Sequence, residues 1–389
     1  MKVAFLIEHL DARRGGMERS SLEFLAETVA RGVEITVVTQ SAAPEFSLAP
    51  VHRLGTIGLG RRARYDNFVR NADMFLATST WDVVHSVTPC LNCDLFQPRG
   101  GLVQEAINRT IATRRHWITQ TLRRFGARLN GKYRLLLQLE KQLLTRKPPP
   151  LFAPLSRYVS RQAREIYSVP GECVREVFNG VTVSLPAESE RRLIRERLRS
   201  ELAIDQRALV AIFVAHNFRL KGLTHLIEAL AEPNAASWQL LVAGKDSPRP
   251  CEHLARKFGV AARVHFLGRR SDVRDLSLAS DAGVLPTYYD PCSRAVLEGL
   301  SLGLPYITTA FNGASDCLKN GENGFVIESP DSVGALAQAL AALADANLRR
   351  KMSDNALTLR PFLSMRRHAE QIVALYEQIA ARKGKAKSC

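Results

Sequence analysis

The segment Thr287-Tyr-Tyr-Asp290-Pro-Cys-Ser-Arg-Ala-Val-Leu-Glu298 sets one carboxylate eight residues ahead of another. At about 100° per residue the second acid lies about 80° past two full helical turns, and Pro291 suits the first turn of a helix. Asp290 can thus fold over the start of a helix whose second turn carries Glu298, bringing both acids to one ligand. The N–H groups near Ser293 and Arg294, at that helix start, are expected to be free for anionic oxygens. A second cluster, His216-Asn-Phe-Arg219-Leu-Lys221-Gly222, places two cations just past an apolar run. Open α/β sheets bind ligands at that position, and two cations suit a diphosphate. A third, Asp11-Ala-Arg-Arg-Gly15-Gly16-Met-Glu-Arg-Ser, carries a glycine pair that lets backbone N–H groups approach a phosphate. It is neither a G-x-G-x-x-G fingerprint nor a P-loop. Each cluster also has a plainer reading: solvated loop cations, an aspartate that only caps, an exposed helical glutamate, an ordinary glycine turn.

Such loops need parallel strands to carry them, and the sequence supplies two series. Short apolar runs at 3–7, 34–40 and 82–87 alternate with an amphipathic stretch at 18–31 and recur as ALVAIFVAH (208–216), WQLLVAG (238–244), VHFLG, DAGVLP, PYITTA and GFVIES, with helix-like segments between. The strands are too apolar for a half-exposed sheet, as parallel sheets buried on both faces require. The pattern predicts an α/β chain of two successive units with a boundary near Leu185, and a C-terminal helix that either caps the second unit or returns to the first.

The 389 residues carry a formal net charge of +16, and that charge is localised. Arg99 to Arg161 holds 14 Lys or Arg against Glu105 and Glu140, and the tail adds Arg382, Lys383, Lys385 and Lys387 without an acid. The remainder is neutral. The N-terminal apolar run is too short for a signal segment or a membrane span, and the seven cysteines are scattered. Reduced thiols and a cytoplasmic location are expected. Cys90-Leu-Asn-Cys93 stands without a second pair, so two small loop thiols are favoured over a metal site.

The Gly-Gly-x-Glu loop, Glu-Val-Phe-Asn-Gly-Val at 176–181, Arg-x-Lys-Gly-Leu-x-x-Leu-Ile-Glu-Ala-Leu at 219–230, Val-His-Phe-Leu-Gly at 264–268 and Asp-x7-Glu followed by Gly-Leu-Pro together resemble retaining glycosyltransferases of family 4. The chain is similar especially to bacterial lipopolysaccharide-core glucosyltransferases. The resemblance implies the GT-B fold: two Rossmann-like domains facing across a cleft. Residues 1–184, joined by a C-terminal helix at 363–389, are then the acceptor side, and 185–362 bind the nucleotide-sugar. It further implies that Glu298 holds the ribose hydroxyls, that Asp290 orients the donor sugar, and that Lys221 and Arg219 neutralise the leaving diphosphate. Arg270 lies beside the base, and Gly15 and Gly16 face the phosphates. The family usually has Glu where this chain has Asp290, one methylene shorter, which bears on donor identity. No metal or cofactor is implied, because cations and helix N–H groups stabilise the leaving group. The donor is expected to be UDP-glucose or a related hexose. Asp94 is a candidate contact to the acceptor, against an ordinary turn aspartate.

Val103, Ile107, Ile111, Ile118, Leu122, Phe125 and Leu129 share one face of a single helical wheel, with Arg114 on that stripe, Arg115 and Trp117 at its margins and Arg109, Arg123, Arg124 and Arg128 off it. The expectation is a helix whose stripe packs on the first domain while its arginines meet an anionic membrane surface. Nucleic acid is the competing partner for the segment 99–161, but interleaved aromatics are few and no nucleic-acid motif occurs. The resulting expectation is an enzyme on the inner face of the plasma membrane that moves a hexose to a lipopolysaccharide-core or lipid-linked acceptor. The alternatives are a GT-B nucleotide-sugar epimerase and a non-catalytic protein that binds anionic polymers.

Overall fold

The computed structural model describes residues 1–114 and 116–387, with side chains as far as Gly384; Arg115 and the side chains of Lys385 and Lys387 lie outside the described residues. The chain forms two compact units, Met1–Val181 with Ser364–Cys389, and Thr182–Leu363.

In the first unit, strands β1 (Lys2–Leu6), β2 (Glu34–Thr39), β3 (Val51–Arg53), β4 (Val83–Ser86), β5 (Leu95–Phe96) and β6 (Leu151–Phe152) make one parallel sheet in the order β3-β2-β1-β4-β5-β6. Val3, Ala4, Phe5 and Leu6 are all fully buried, which is why β1 reads as an unbroken apolar run rather than an alternation. Strand order reverses between β1 and β4, opening a crevice at their carboxyl ends. The accompanying helices are α1 (Gly16–Val29), α2 (Gly60–Leu76), α3 (Val103–Ala112), α4 (Trp117–Leu129), α5 (Gly131–Thr145) and α6 (Arg157–Tyr167).

The C-terminal helix, Met365–Lys387, returns to this unit. Met365, Ala369, Ile372 and Tyr376 enter the same core as Val3, Phe5, Phe24 and Ile35. A buried polar network pins it there. Arg99, 4% exposed, donates to Ser20 Oγ at 2.7 Å, meets His368 Nε2 at 3.1 Å and lies 4.7 Å over the Phe24 ring. His368 Nδ1 faces the Phe178 carbonyl at 2.9 Å, so Nδ1 carries the proton and Nε2 accepts from Arg99. His85 Nδ1 lies 2.6 Å from the Tyr376 hydroxyl. Burial, with the Arg99 charge added, pushes both imidazoles well below their ordinary range.

Two expectations for the segment 99–161 are corrected. The apolar stripe is not one helix: the chain leaves α3 after Ala112 and starts α4 at Trp117. Nor does its second half pack on the unit, since Trp117, Ile118, Leu122, Phe125 and Leu129 are 75, 54, 67, 62 and 66% exposed. The positive charge is also only partly a surface. Arg99 is internal, Lys132 pairs with Glu8 at 2.7 Å, and Arg146 donates to the Leu91 and Cys93 carbonyls. Cys90 and Cys93 are buried free thiols, Cys90 pushed up to about 12 by that burial.

In the second unit, α7 (Glu188–Glu201) precedes strands β7 (Leu209–Val214), β8 (Trp238–Ala243), β9 (Val264–Gly268), β10 (Ala282–Leu285), β11 (Tyr306–Thr309) and β12 (Gly324–Ile327). They too form one parallel sheet, in the order β9-β8-β7-β10-β11-β12, with the reversal between β7 and β10. Helices α8 (Leu223–Leu230), α9 (Arg249–Lys257), α10 (Val273–Leu278) and α11 (Arg294–Ser301) complete the layers that matter for the site.

The buried histidines give the first unit an acid limit. Their folded pKa values lie below the unfolded value of about 6.5, so the unfolded chain binds more protons and stability falls as pH drops below that value. Each histidine contributes up to about 1.4 kcal/mol per pH unit. Urea unfolding of the protein at pH 7 and pH 5.5 is expected to give a lower midpoint at pH 5.5, and His368→Gln is expected to shrink that difference.

Candidate active site

The second unit's site is built where two neighbouring strands end. After β7 the chain makes a tight loop: Asn217 Oδ1 accepts from the Leu220 N–H at 3.0 Å, and the Phe218 N–H donates to Asp246 Oδ2 at 2.9 Å. Gly222 ends the loop at φ +78° and starts α8. A Cβ there would lie 1.9 Å from the Pro286 carbonyl oxygen, so only glycine permits the approach. Pro286 lies just past β10. The Leu220 carbonyl in turn accepts from the Tyr288 N–H at 2.9 Å and from Thr287 Oγ1 at 3.2 Å. Two loops almost 70 residues apart are thereby laced together at the sheet's reversal point.

Lys221 is the product of that lacing. Its Nζ donates to Asp290 Oδ2 and to the Tyr289 carbonyl, each at 2.7 Å, with both side chains less than a fifth exposed. Asp290 Oδ1 also accepts from the Cys292 N–H at 3.1 Å. Glu298, on α11, is held by Arg294 at 2.7 Å and is about one-fifth exposed. Each acid therefore faces a cation. The Ser293 N–H is not free as expected, because it donates to Asn312 Oδ1 at 3.1 Å. Arg219 is exposed in the same loop as Lys221. Arg270, past β9, is clamped by both oxygens of Asp272 at 2.8 and 2.6 Å, which raises the arginine and lowers the acid. His216, in the Lys221 loop, is lowered by burial and by the cations Lys245 and Arg269.

In the first unit Gly15 and Gly16 open α1 just past β1, with Gly15 extended and no side chain capping the helix. Asp94 does not join them. It precedes β5, at the amino edge of the sheet, where its Oδ2 accepts from the Val84 N–H at 2.7 Å and pairs with Lys383 at 2.6 Å. The expected acceptor contact is thus a strand-edge clamp for the C-terminal helix.

Residues that sequence reasoning missed act as supports. Asn312 accepts from Ser293 and Ala314 and donates to Thr308 Oγ1; its Asn-Gly dipeptide marked a turn. Tyr288 donates to Asp331 at 2.7 Å and meets buried His225 at 2.8 Å, fixing the loop past β10. Among the described residues no cluster of three His, Cys, Asp or Glu side chains is placed to hold a metal ion.

Two family models divide the chain between them: Glycosyltransferase Family 4 matches residues 14–185, and Glycosyl transferases group 1 matches 194–358. The chain belongs to the GT-B glycosyltransferases. It is 27% identical to the lipopolysaccharide glucosyltransferase WaaG of Escherichia coli K12 over 359 residues, 88% of this chain and 90% of WaaG. It is also 27% identical, over 47% of its length and 48% of the relative's, to the N-acetyl-alpha-D-glucosaminyl L-malate synthase of Bacillus anthracis. The fold matches the crystal structure of WaaG with a TM-score of 0.79 at 23% identity, covering 96% of this chain and 99% of that one. Anabaena HepE, crystallised with UDP-glucose, matches at 0.71 and 18% identity over 99% and 100% of the two chains. Within this glycosyltransferase the two Rossmann-like units are those inferred from the strand series.

Gly222→Ala tests the lacing. Strain at positive φ together with the clash on Pro286 is expected to destabilise the second unit by about 3 kcal/mol. Urea unfolding followed by Trp238, buried in that unit, measures it.

Proposed function

We propose that the protein is a retaining hexosyltransferase that moves a hexose from a UDP-sugar, UDP-glucose or a close relative, to a lipopolysaccharide-core or lipid-linked acceptor. The observation that carries this reading is Lys221, held at the strand-order reversal by Asp290 and within one loop of Arg219. A diphosphate at that edge meets an ammonium already positioned for it, with Arg219 in the same loop. Glu298, released from Arg294, is suited to ribose hydroxyls, and Arg270 to the base; Gly15 and Gly16 offer N–H donors to phosphate oxygens. WaaG's likeness supports the acceptor class, and HepE's UDP-glucose complex supports the donor.

In the proposed reaction the sugar C1–phosphate oxygen bond breaks and the acceptor oxygen bonds C1 on the same face. The acceptor's proton passes to the departing phosphate, and Lys221 balances the charge that develops there. Asp290, one methylene short of the family's usual Glu, reaches Lys221 directly, so it also sets where that ammonium sits.

The enzyme works, in this reading, at the inner face of the plasma membrane. No described helix is long and apolar enough to cross a membrane. Instead α4 presents Trp117, Leu122, Phe125 and Leu129 outward beside exposed Arg123, Arg124 and Arg128. Such a face inserts its apolar side shallowly while each arginine adds about 1 kcal/mol against anionic lipid.

Glu298→Ala is expected to abolish sugar transfer from UDP-glucose, and Asp290→Glu to keep activity or alter donor choice. Unchanged turnover in Glu298→Ala would refute the assignment, and release of free sugar without an acceptor would mark an epimerase. Vesicles containing phosphatidylglycerol are expected to bind the protein, less so in high salt, and Leu122→Glu with Phe125→Glu to lose binding at any salt. Failure of the unaltered protein to sediment with such vesicles counts against the membrane site.

A further inference from the structure

A cavity of about 250 Å³ opens in the first unit, lined by Glu8 just past β1, by Val87, Thr88 and Pro89 just past β4, and by residues of α3, α4 and α5. It therefore occupies that sheet's own order reversal, the position at which α/β units hold ligands. Met17, in the first turn of the glycine-started helix, forms part of the same wall. None of the residues so far placed in the chemistry accounts for this space.

Its lining states what it can hold. Val87, Pro98, Ile107, Ile111 and Leu136 give no hydrogen-bond partner. Tyr65, also in the wall, has its hydroxyl engaged with the Pro89 carbonyl at 3.1 Å. Of the charged groups at the cavity, Glu8 takes Lys132 at 2.7 and 3.1 Å, and Arg123 of α4, an exposed side chain, stands at its border. A polyhydroxylated ring buried against such walls would lose hydrogen bonds to water without replacing them, whereas a methylene chain gains by leaving water. The polar side chains Glu8 and Thr88 stand at the carboxyl ends of the strands, where the glycine loop also begins. α4 contributes Arg123 and Ala127 to the cavity, while Ile118, Leu122, Phe125 and Leu129 of the same helix are exposed. One short helix thus borders both the cavity and the outer apolar face.

We infer that this cavity takes the hydrocarbon segment of an amphiphilic acceptor, with its hydroxyl-bearing end beside Glu8 and the Gly15-Gly16 loop; the word acceptor rests on the transferase reading above. The inference selects a lipid-borne hydroxyl compound whose chain lies close to its sugar or polar head, rather than a long hydrophilic oligosaccharide alone.

Octyl β-glucoside, below its micelle-forming concentration, and methyl β-glucoside serve as probes in calorimetric titrations of the full chain. The octyl compound is expected to bind about tenfold tighter or more. Ala106→Phe, which fills the cavity from α3, is expected to erase that gain with no change in UDP-glucose affinity, and Ala127→Phe, from α4, to do the same should the first variant unfold. Leu122→Glu with Phe125→Glu, on the outer face, is expected to keep the gain. Equal affinities for the two glucosides, a gain that survives both filled variants, or one lost only in the outer-face variant would each overturn the inference. Sugar transfer by the unaltered protein is assayed alongside. Absent turnover overturns the transferase reading and the acceptor assignment with it, whereas survival of the octyl gain in the filled variants overturns the cavity assignment alone.

Discussion

Everything in the second unit's site follows from how closely two strand exits pass one another. The α carbon of Gly222 sits against the Pro286 carbonyl with no room for a methyl group, and the Leu220 carbonyl collects two hydrogen bonds from the opposite loop. With the loops that close, a lysine on one exit reaches a carboxylate on the other without stretching. A longer gap would leave Lys221 free to wander in solvent, and a positioned ammonium is worth more to a developing phosphate charge than a mobile one. The parallel sheet supplies the adjacency, the glycine permits the contact, and the ion pair fixes the cation.

How much of this was legible in the sequence depended on range. Strands such as β1 and β7 were readable because both faces are buried and nothing polar interrupts them. The lysine and the two acids were readable as types at the right strand ends. Their pairing was not, because Lys221 and Asp290 meet only through the lateral order of β7 and β10, which no local pattern encodes. Asp94 misled for a related reason: a residue ahead of a two-residue strand looks like a loop residue, yet the sheet puts it at the edge away from the glycine loop. The stripe from Val103 to Leu129 misled differently. α3 ends at Ala112 and α4 starts at Trp117, a gap of four positions, close to one turn of 3.6 residues. The apolar phase therefore survives the break, and periodicity reads through a turn in the chain.

The charge tells a similar story. Counted along the sequence, the segment 99–161 is a block of cations. Folded, it includes an internal arginine beneath the glycine-started helix, a lysine neutralised by Glu8, an arginine satisfying two carbonyls, an arginine paired with Glu105, and exposed cations both on α4 and beyond it. Net charge is a property of composition, while its use is decided by burial and pairing.

The return of the C-terminal helix also sets an order of events. Its Met365, Ile372 and Tyr376 are fully or almost fully enclosed among residues that the ribosome made first, and His368 completes the cage around Arg99. The second unit, contiguous from Thr182 to Leu363, has all its strands before that helix exists. During synthesis, the half of the protein translated first must wait, with part of its apolar core uncovered, until the half translated last has emerged. Chaperone dependence and premature-stop sensitivity should therefore concentrate on the N-terminal unit, the opposite of what reading order suggests.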